Sequence, residues 1–445
     1  MRTISTTLVA ALLACASSAY GATCARFPAS ASTARDQNGA ISVPLRTDYP
    51  ASPPGAAHPW SAINFRTDWQ SYIGAVLAEV RGSKIAIRQQ RVRMPAAAPW
   101  WITPWMDFGG KGREPNNGLT RERSPDAGDL SPTSKRGYQT WAVGWYNTEG
   151  AYSLGQVFAD PCDPKIPATP GQKWTFADGT VGFKFLFSTA PPTEVAYLSG
   201  APQVTARVNG ADLALRLLQV DVAVRDPRAT DTGWVFGTFV WKGPAQGDRM
   251  FDNLVPVGLM WGNEHGAMAP AFADWLNPLE HSRINEQLAG VVWQGPAGGW
   301  PQRPYPGFQG RLNGPADNWR SSCVACHAAA QFPASPTLRP QGSWNQASPP
   351  DMNAIKGFVA RYFSELPGGD VADPAVTGAI ALDYSLQLQE AFIRMCQACD
   401  AGAMTGARPA LCRRDAQGPA CAPAASPAGN AMRQLLRTDT MSVRQ

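Results

Sequence analysis

Three residues in the sequence have the types and the spacing to do chemistry together. They are Cys323, Cys326 and His327, in the run Ser-Ser-Cys-Val-Ala-Cys-His. Two thiols with two residues between them sit about one helical turn apart. At that separation both can reach the vinyl groups of one porphyrin and tether it through thioether bonds. The imidazole next in line can then turn under a central iron as its proximal ligand. Cys-x-x-Cys-His is the attachment pattern of a c-type haem. The competing uses of the thiols are a redox dithiol and half of a zinc site, with His327 an accidental neighbour.

The ligand on the other side of an iron sets its behaviour. A methionine thioether raises the potential and gives a six-coordinate carrier, whereas an open position admits a small molecule. Downstream candidates are Met352, which follows Pro350-Asp351 into a helix, Met395 at a helix end, and Met404. Met352 is the first choice. Upstream, His265, Met268 and His281 become available if a long connection folds over the ring. Each has a plainer alternative, helix packing for the methionines and a surface position for the histidines. Arg113, Arg121 and Arg123, on a segment with Gly, Pro and alternating charge, can hold an anion such as a haem propionate, or simply ion-pair in solvent. Trp100, Trp101 and Trp105 lie among prolines; they can stack on a ring, but filling a core is the more ordinary use. No catalytic triad, phosphate-binding glycine loop or His-Glu-x-x-His is present, so no catalytic residues are assigned and a non-haem enzyme has little backing.

On Cys323, Cys326 and His327 the chain resembles the monohaem c-type cytochromes, and more widely a group of large exported cytochrome c-like proteins of poorly defined role. The resemblance implies one covalent haem c, a small α-helical haem domain, single-electron exchange with a redox partner, and haem attachment outside the cytoplasm. It covers about residues 312 to 400 and is sharp only at the three motif residues. One departure is plain. Small cytochromes place a helix well before the motif, whereas here the forty preceding residues are rich in Pro and Gly. Two other functions use the same group: a haem enzyme, peroxidase or oxidoreductase, with a substrate-binding β domain, and a haem-based redox or gas sensor.

The N-terminus points to export. Met1-Arg2-Thr3 is a short positive region, Ile4 to Ala16 is apolar but too short to span a bilayer, and Ala19-Tyr20-Gly21 fits a cleavage site. Residues 1–21 therefore read as a signal peptide and the destination as the periplasm. Leu12-Leu13-Ala14-Cys15 is close to a lipoprotein box, and lipidation there would anchor the protein to a membrane. The chain has nine cysteines, of which eight follow the signal. After the motif pair, Cys24, Cys162, Cys396, Cys399, Cys412 and Cys421 remain, an even count that suggests disulfides in an oxidising compartment. The last four could hold zinc, but two disulfides are the better expectation; all three pairings stay open. Asp400, not His, follows Cys399, so there is no second haem site.

These residues need a frame. At 445 residues, with 42 Gly, 40 Pro and 44% hydrophobic content, the chain is long enough for two or three loop-rich domains. A net charge of +5 is too mild to argue for nucleic acid and suits docking to an acidic redox partner. Thr67-Asp68 can cap a helix in which Trp69, Tyr72, Ile73, Val76, Leu77 and Val80 share a face, ended by Gly82. From 138 to 261 the pattern alternates: strands around Trp141–Trp145, Tyr152–Phe158, Val181–Phe187, Val204–Val208, Leu218–Val224, Trp234–Trp241 and Val255–Trp261, with a turn at Asn147–Gly150. That predicts an antiparallel sandwich or barrel-like domain. A helix over Phe272–Leu288 is possible but broken by Pro278. Asp317 or Asn318 can cap the motif helix, and Met352–Phe363 and Leu382–Met395 read as further helices. The expected fold class is α+β: an N-terminal mixed, antiparallel β-rich, sandwich-like region, then a small α-helical cytochrome c-like domain. Its parts are 22–137 with one helix, 138–261, a connection at 262–311, and 312–445 with a Cys-rich tail.

Overall fold

The structure, a computed structural model, describes residues 43–55, 57–105, 113–167, 171–243, 250–264, 277–288, 307–340, 351–400, 410–412 and 421. The expected signal peptide, Cys15, Cys24, His265, Met268 and Met404 lie outside these residues. The class is α+β, and no described helix is long and apolar enough to cross a membrane.

Helix α1 (Trp69–Gly82) forms where its apolar stripe predicts. The Asp68 carboxylate accepts the Ser71 N–H at 3.4 Å, and Tyr72, Ile73, Val76 and Val80 are buried. A hairpin of β1 (Ala86–Arg88) and β2 (Arg91–Arg93) follows. The large sheet begins with β3 (Thr120–Arg121) and β4 (Thr140–Tyr146). The next segment corrects a sequence expectation. Residues Tyr152–Phe158 are not a strand: all but Phe158, the C-cap, belong to α2 (Thr148–Val157). Asn147 does not make a hairpin turn there; its Oδ1 accepts the Gly150 N–H at 3.1 Å and caps the helix. Strands β5 (Val181–Ser188), β6 (Gln203–Val208), β7 (Ala211–Arg225), β8 (Trp234–Trp241) and β9 (Leu254–Met260) match the alternating runs. The expected helix over Phe272–Leu288 is instead, in its described part, a short strand β10 (Ser282–Ile284) and a single 3-10 turn, with Pro278 before them.

The strands make one antiparallel sheet, not the expected sandwich or barrel. Its order is β10-β9-β8-β7-β5-β4-β3, with β6 paired to the first half of the long β7. Helices and irregular chain take the place of a second sheet on both sides, the other way to bury a sheet's apolar faces. One face carries Trp141, Val143, Trp145, Phe183, Phe185 and Val220, and α1 joins the same core further along the sheet, packing against β9. The Trp145 ring stacks on Phe183 at 4.9 Å and meets Phe185 edge-on at 5.3 Å. The opposite face shares a core with the C-terminal elements. These are α3 (Cys323–Ala328), β11 (Gln331–Phe332), α4 (Met352–Tyr362), β12 (Ile380–Ala381) and α5 (Leu386–Asp400). There Ala142, Leu186 and Phe236 join Val324 of α3 and Leu388 and Phe392 of α5. Helix α5 starts later than the sequence suggests, because Asp383 and Tyr384 hold positive φ. Two disulfides close the tail, Cys396–Cys421 and Cys399–Cys412, so those four cysteines do not hold zinc. Cys162 is disulfide-bonded to a partner outside the described residues.

Candidate functional site

The strand pattern that fills one face with aromatic rings hollows the other. Between Trp141, Val143 and Trp145 stand Ala142 and Gly144; between Val181 and Phe183 stands Gly182; between Val222 and Val224 stands Ala223. With side chains this small on one face, a cavity of about 310 Å³ opens above the sheet. That volume is within the range of small-molecule and cofactor pockets. Tyr146, Trp234 and Phe236 wall it, and the start of α5 with Ser385, Leu386 and Gln387 lies across it. Cys323, Cys326 and His327 all face into it.

Helix α3 is only six residues long, so tertiary contacts hold it. Its cap is Ser322, neither Asp317 nor Asn318. The Ser322 Oγ accepts the Ala325 N–H at 3.0 Å and donates to Asn263 Oδ1 at 2.8 Å. Asp317 accepts the Gly314 N–H at 2.9 Å instead. The two motif thiols are unpaired, while every other described cysteine is in a disulfide. Burial, aided by the Asp317 carboxylate, pushes the Cys323 thiol well up and Cys326 up to about 11. A redox dithiol needs a stabilised thiolate, and this environment opposes one. Among the described residues no group of three ligand side chains at metal-binding distance includes either sulfur, so the half-zinc reading gains nothing.

The His327 ring is fixed in both orientation and tautomer. Its Nδ1 lies 2.9 Å from the Tyr384 carbonyl oxygen. A carbonyl only accepts, so Nδ1 carries the hydrogen and Nε2 keeps a lone pair. This is the arrangement in which a backbone carbonyl fixes the tautomer of a ligating histidine. The Phe236 ring sits 4.7 Å away, and the Tyr384 hydroxyl donates to Leu366 O at 2.6 Å, so both neighbours are themselves held. Burial lowers the His327 pKa to about 4, keeping the ring neutral.

Sequence reasoning missed a charged cluster in the same cavity. Lys184 Nζ is 3.3 Å from Asp221 Oδ2. Gln219 donates to Asp221 at 2.9 Å and to Asp317 at 3.3 Å, and Thr238 donates to Asp221 at 2.6 Å. Burial opposes the Lys184 charge, but Glu122, Asp221 and Asp317 outweigh it and raise the pKa. Burial first, then Asp221, raises Asp317. The available signal was the placement of Lys184 within Val-Gly-Phe-Lys-Phe and of Asp221 within Val-Asp-Val, charges inside otherwise apolar strands.

The remaining expected residues divide. Arg123 lines the cavity, its guanidinium held by Ala316 O at 3.2 Å and Asp129 at 3.1 Å. Arg113 and Arg121 do not; Arg113 donates to Thr103 O and Gly118 O, and Arg121 to Gln139 and Ser124. The tryptophans take the core role: Trp100 meets Phe183 edge-on at 4.8 Å and Trp105 donates to Pro161 O. Two of the candidates considered for the far side of an iron lie away from this cavity. Met395 is fully buried in the α5 core because it lies on the same face as Leu388 and Phe392, and His281 sits among carboxylates elsewhere; neither lines the cavity. Met352 is the first residue of α4, but its side chain is outside what is described.

Compared with known proteins, the chain matches no family model, no curated protein and no solved structure. The site is therefore read from its own geometry.

Proposed function

We propose that this protein is a c-type cytochrome with one covalent haem, passing single electrons to or from a partner outside the cytoplasm. Residues 312–445 then form its haem-carrying part. One observation carries the reading: two unpaired thiols and a tautomer-fixed imidazole face a single cavity in a chain whose other described cysteines are oxidised. Cys323 and Cys326 would form the thioethers, and His327 would bind the iron through Nε2. Bound haem supplies one iron that cycles between ferric and ferrous states. The chain's own residues orient and insulate. The Tyr384 carbonyl and the Phe236 ring hold the imidazole, and Tyr146 and Trp234 give the cavity aromatic walls. Lys184 compensates the carboxylates of Asp221 and Asp317 beneath it. Arg123 is the cation placed for a propionate. The test is the absorption spectrum and intact mass of the mature protein: the expected outcome is a coloured protein one haem heavier than its polypeptide. A colourless protein with the bare polypeptide mass overturns it.

A haem enzyme or gas sensor is the second reading. It is favoured because, among the described residues, no methionine and no second histidine lines the cavity, while Lys184 and Asp317 do. A high-spin ferric spectrum with rapid carbon monoxide or peroxide binding selects it; a methionine-to-iron absorption band selects the carrier.

A further inference from the structure

Away from the cavity, the chain between β9 and α3 gathers a second group of ligand-type side chains. Glu264, Glu280 and His281 each offer one atom, and these atoms lie within 4.8 Å of one another. We propose that Glu264, Glu280 and His281 bind a first-row divalent cation, of which zinc is the natural probe, at a structural site separate from the haem cavity.

Acidic clusters on a surface are common, and Glu280 alone would argue nothing. The weight rests on Glu264, whose side chain is fully buried. Its Oε1 is occupied, accepting from the His281 N–H at 2.9 Å and the Ser282 hydroxyl at 3.1 Å. Its Oε2 makes no hydrogen bond and neither does His281 Nδ1, although both atoms are buried and lie 3.5 Å apart. A buried carboxylate oxygen without a hydrogen bond is costly to keep. Two ligand atoms on a tetrahedral zinc, with bonds of about 2.1 Å, are themselves about 3.4 Å apart. The separation found is the one a shared ion would impose.

Most of the surroundings fit the same use. On the far side of the imidazole, Nε2 faces Asp231 Oδ2 at 3.6 Å, placing a carboxylate where it can orient a histidine that ligates through Nδ1. Glu365 Oε1, which accepts the Asn263 N–H at 2.7 Å, lies 3.7 Å from Nδ1 and adds a carboxylate to the group. The nearby Arg311 guanidinium works against a cation, since it faces Glu264 and Glu365; it is held in place by the carbonyls of Asn263 and Glu264 and by Phe363, on which it stacks at 4.5 Å. Nitrogen and oxygen donors without sulfur suit zinc and its first-row neighbours. The imidazole is part-exposed and Glu280 is exposed, so the group lies near the surface. Asn263 joins the site to the cavity, since its N–H donates to Glu365 at 2.7 Å and its Oδ1 accepts from Ser322, the cap of α3. An ion here would pin the connection against the motif helix.

The alternative is a protonated imidazole standing in for the ion among the carboxylates. Titration of zinc into the chelator-treated protein, followed by calorimetry, separates the two. Cys323 and Cys326 are either in thioether linkage or alkylated beforehand, so that they cannot compete. Glu264→Gln keeps the Oε1 hydrogen bonds, and Asp212→Asn, at an exposed carboxylate, is the control. The expected result is one equivalent of zinc bound by the wild type and by the control, weakened at least tenfold in Glu264→Gln and in His281→Ala, with metal-free circular dichroism unchanged in Glu264→Gln. Absence of saturable binding in the wild type, or equal affinity in Glu264→Gln and wild type, overturns the site. The outcome does not depend on haem attachment.

Discussion

The two faces of the large sheet are made by the same strands and do opposite jobs. On one, Trp145, Phe183 and Phe185 interlock in the core that α1 shares, and the strand side chains there are apolar. On the other, Ala142, Gly144, Gly182 and Ala223 leave a hollow, and Lys184 and Asp221 bring charge into it. The first face holds the sheet together and needs nothing else. The second gives up packing, which a protein retains where something must be accommodated. Along β5 the two roles alternate residue by residue, so a strand's fold-making and site-making positions differ by one step.

The comparison breaks most completely at the motif. Replacing both Cys323 and Cys326 by Ala is expected to abolish covalent haem, read as the loss of the mass increment and of visible absorption after denaturation. Retained absorption that survives denaturation would sink the assignment. Next, Phe185→Ala removes a fully buried ring from the aromatic face and is expected to cost about 3–5 kcal/mol in urea unfolding. Haem content per folded molecule should not change; if it falls in step with stability, the two faces are not separable. Lys184→Met leaves Asp221 and Asp317 without their cation. Removing one partner of a buried pair costs about 3–5 kcal/mol, and a side chain still 26% exposed should lose less, about 2 kcal/mol. No change in unfolding free energy would mean the cluster is solvated. The smallest effect lies away from the cavity, at His281, and is one of pH. Glu264 first, then Glu365 and Asp231, raise the His281 pKa above 6.5. Its stabilising contribution in metal-free protein is therefore full below pH 6.5 and is lost as pH rises through the raised value. Since the ring is part-exposed, His281→Gln should cost no more than about 1 kcal/mol at acidic pH and nothing well above it. A cost that grows with pH would reverse the sign and refute the pairing.

Legibility in the sequence followed the range of the forces involved. Helix α1 could be bounded from Asp68 to Gly82, and β5, β6 and β9 from their alternation, because each pattern is local. Asn147 misled because one side chain serves turns and helix caps alike, and only the packing of α2 decides. The sandwich expectation failed for a similar reason: alternation reveals that a face is apolar, not whether a sheet or a helix covers it. At the site, the two cysteines and His327 were readable since they are contiguous. The Tyr384 carbonyl that orients His327 comes from 57 residues further on, and Lys184, Asp221 and Asp317 meet only after folding.

The order in which these parts occur along the chain bears on how the protein is made. A nascent chain releases α1 and the strands of the sheet first, the motif helix well afterwards, and α5 with its disulfides last. Domains tend to assemble as they emerge during synthesis. The aromatic side of the sheet can thus be sealed early, while Leu186, Trp234 and Phe236 wait uncovered for partners not yet produced. Fragments ending before Leu386 should consequently be sticky and need a holding chaperone, even though every strand is present.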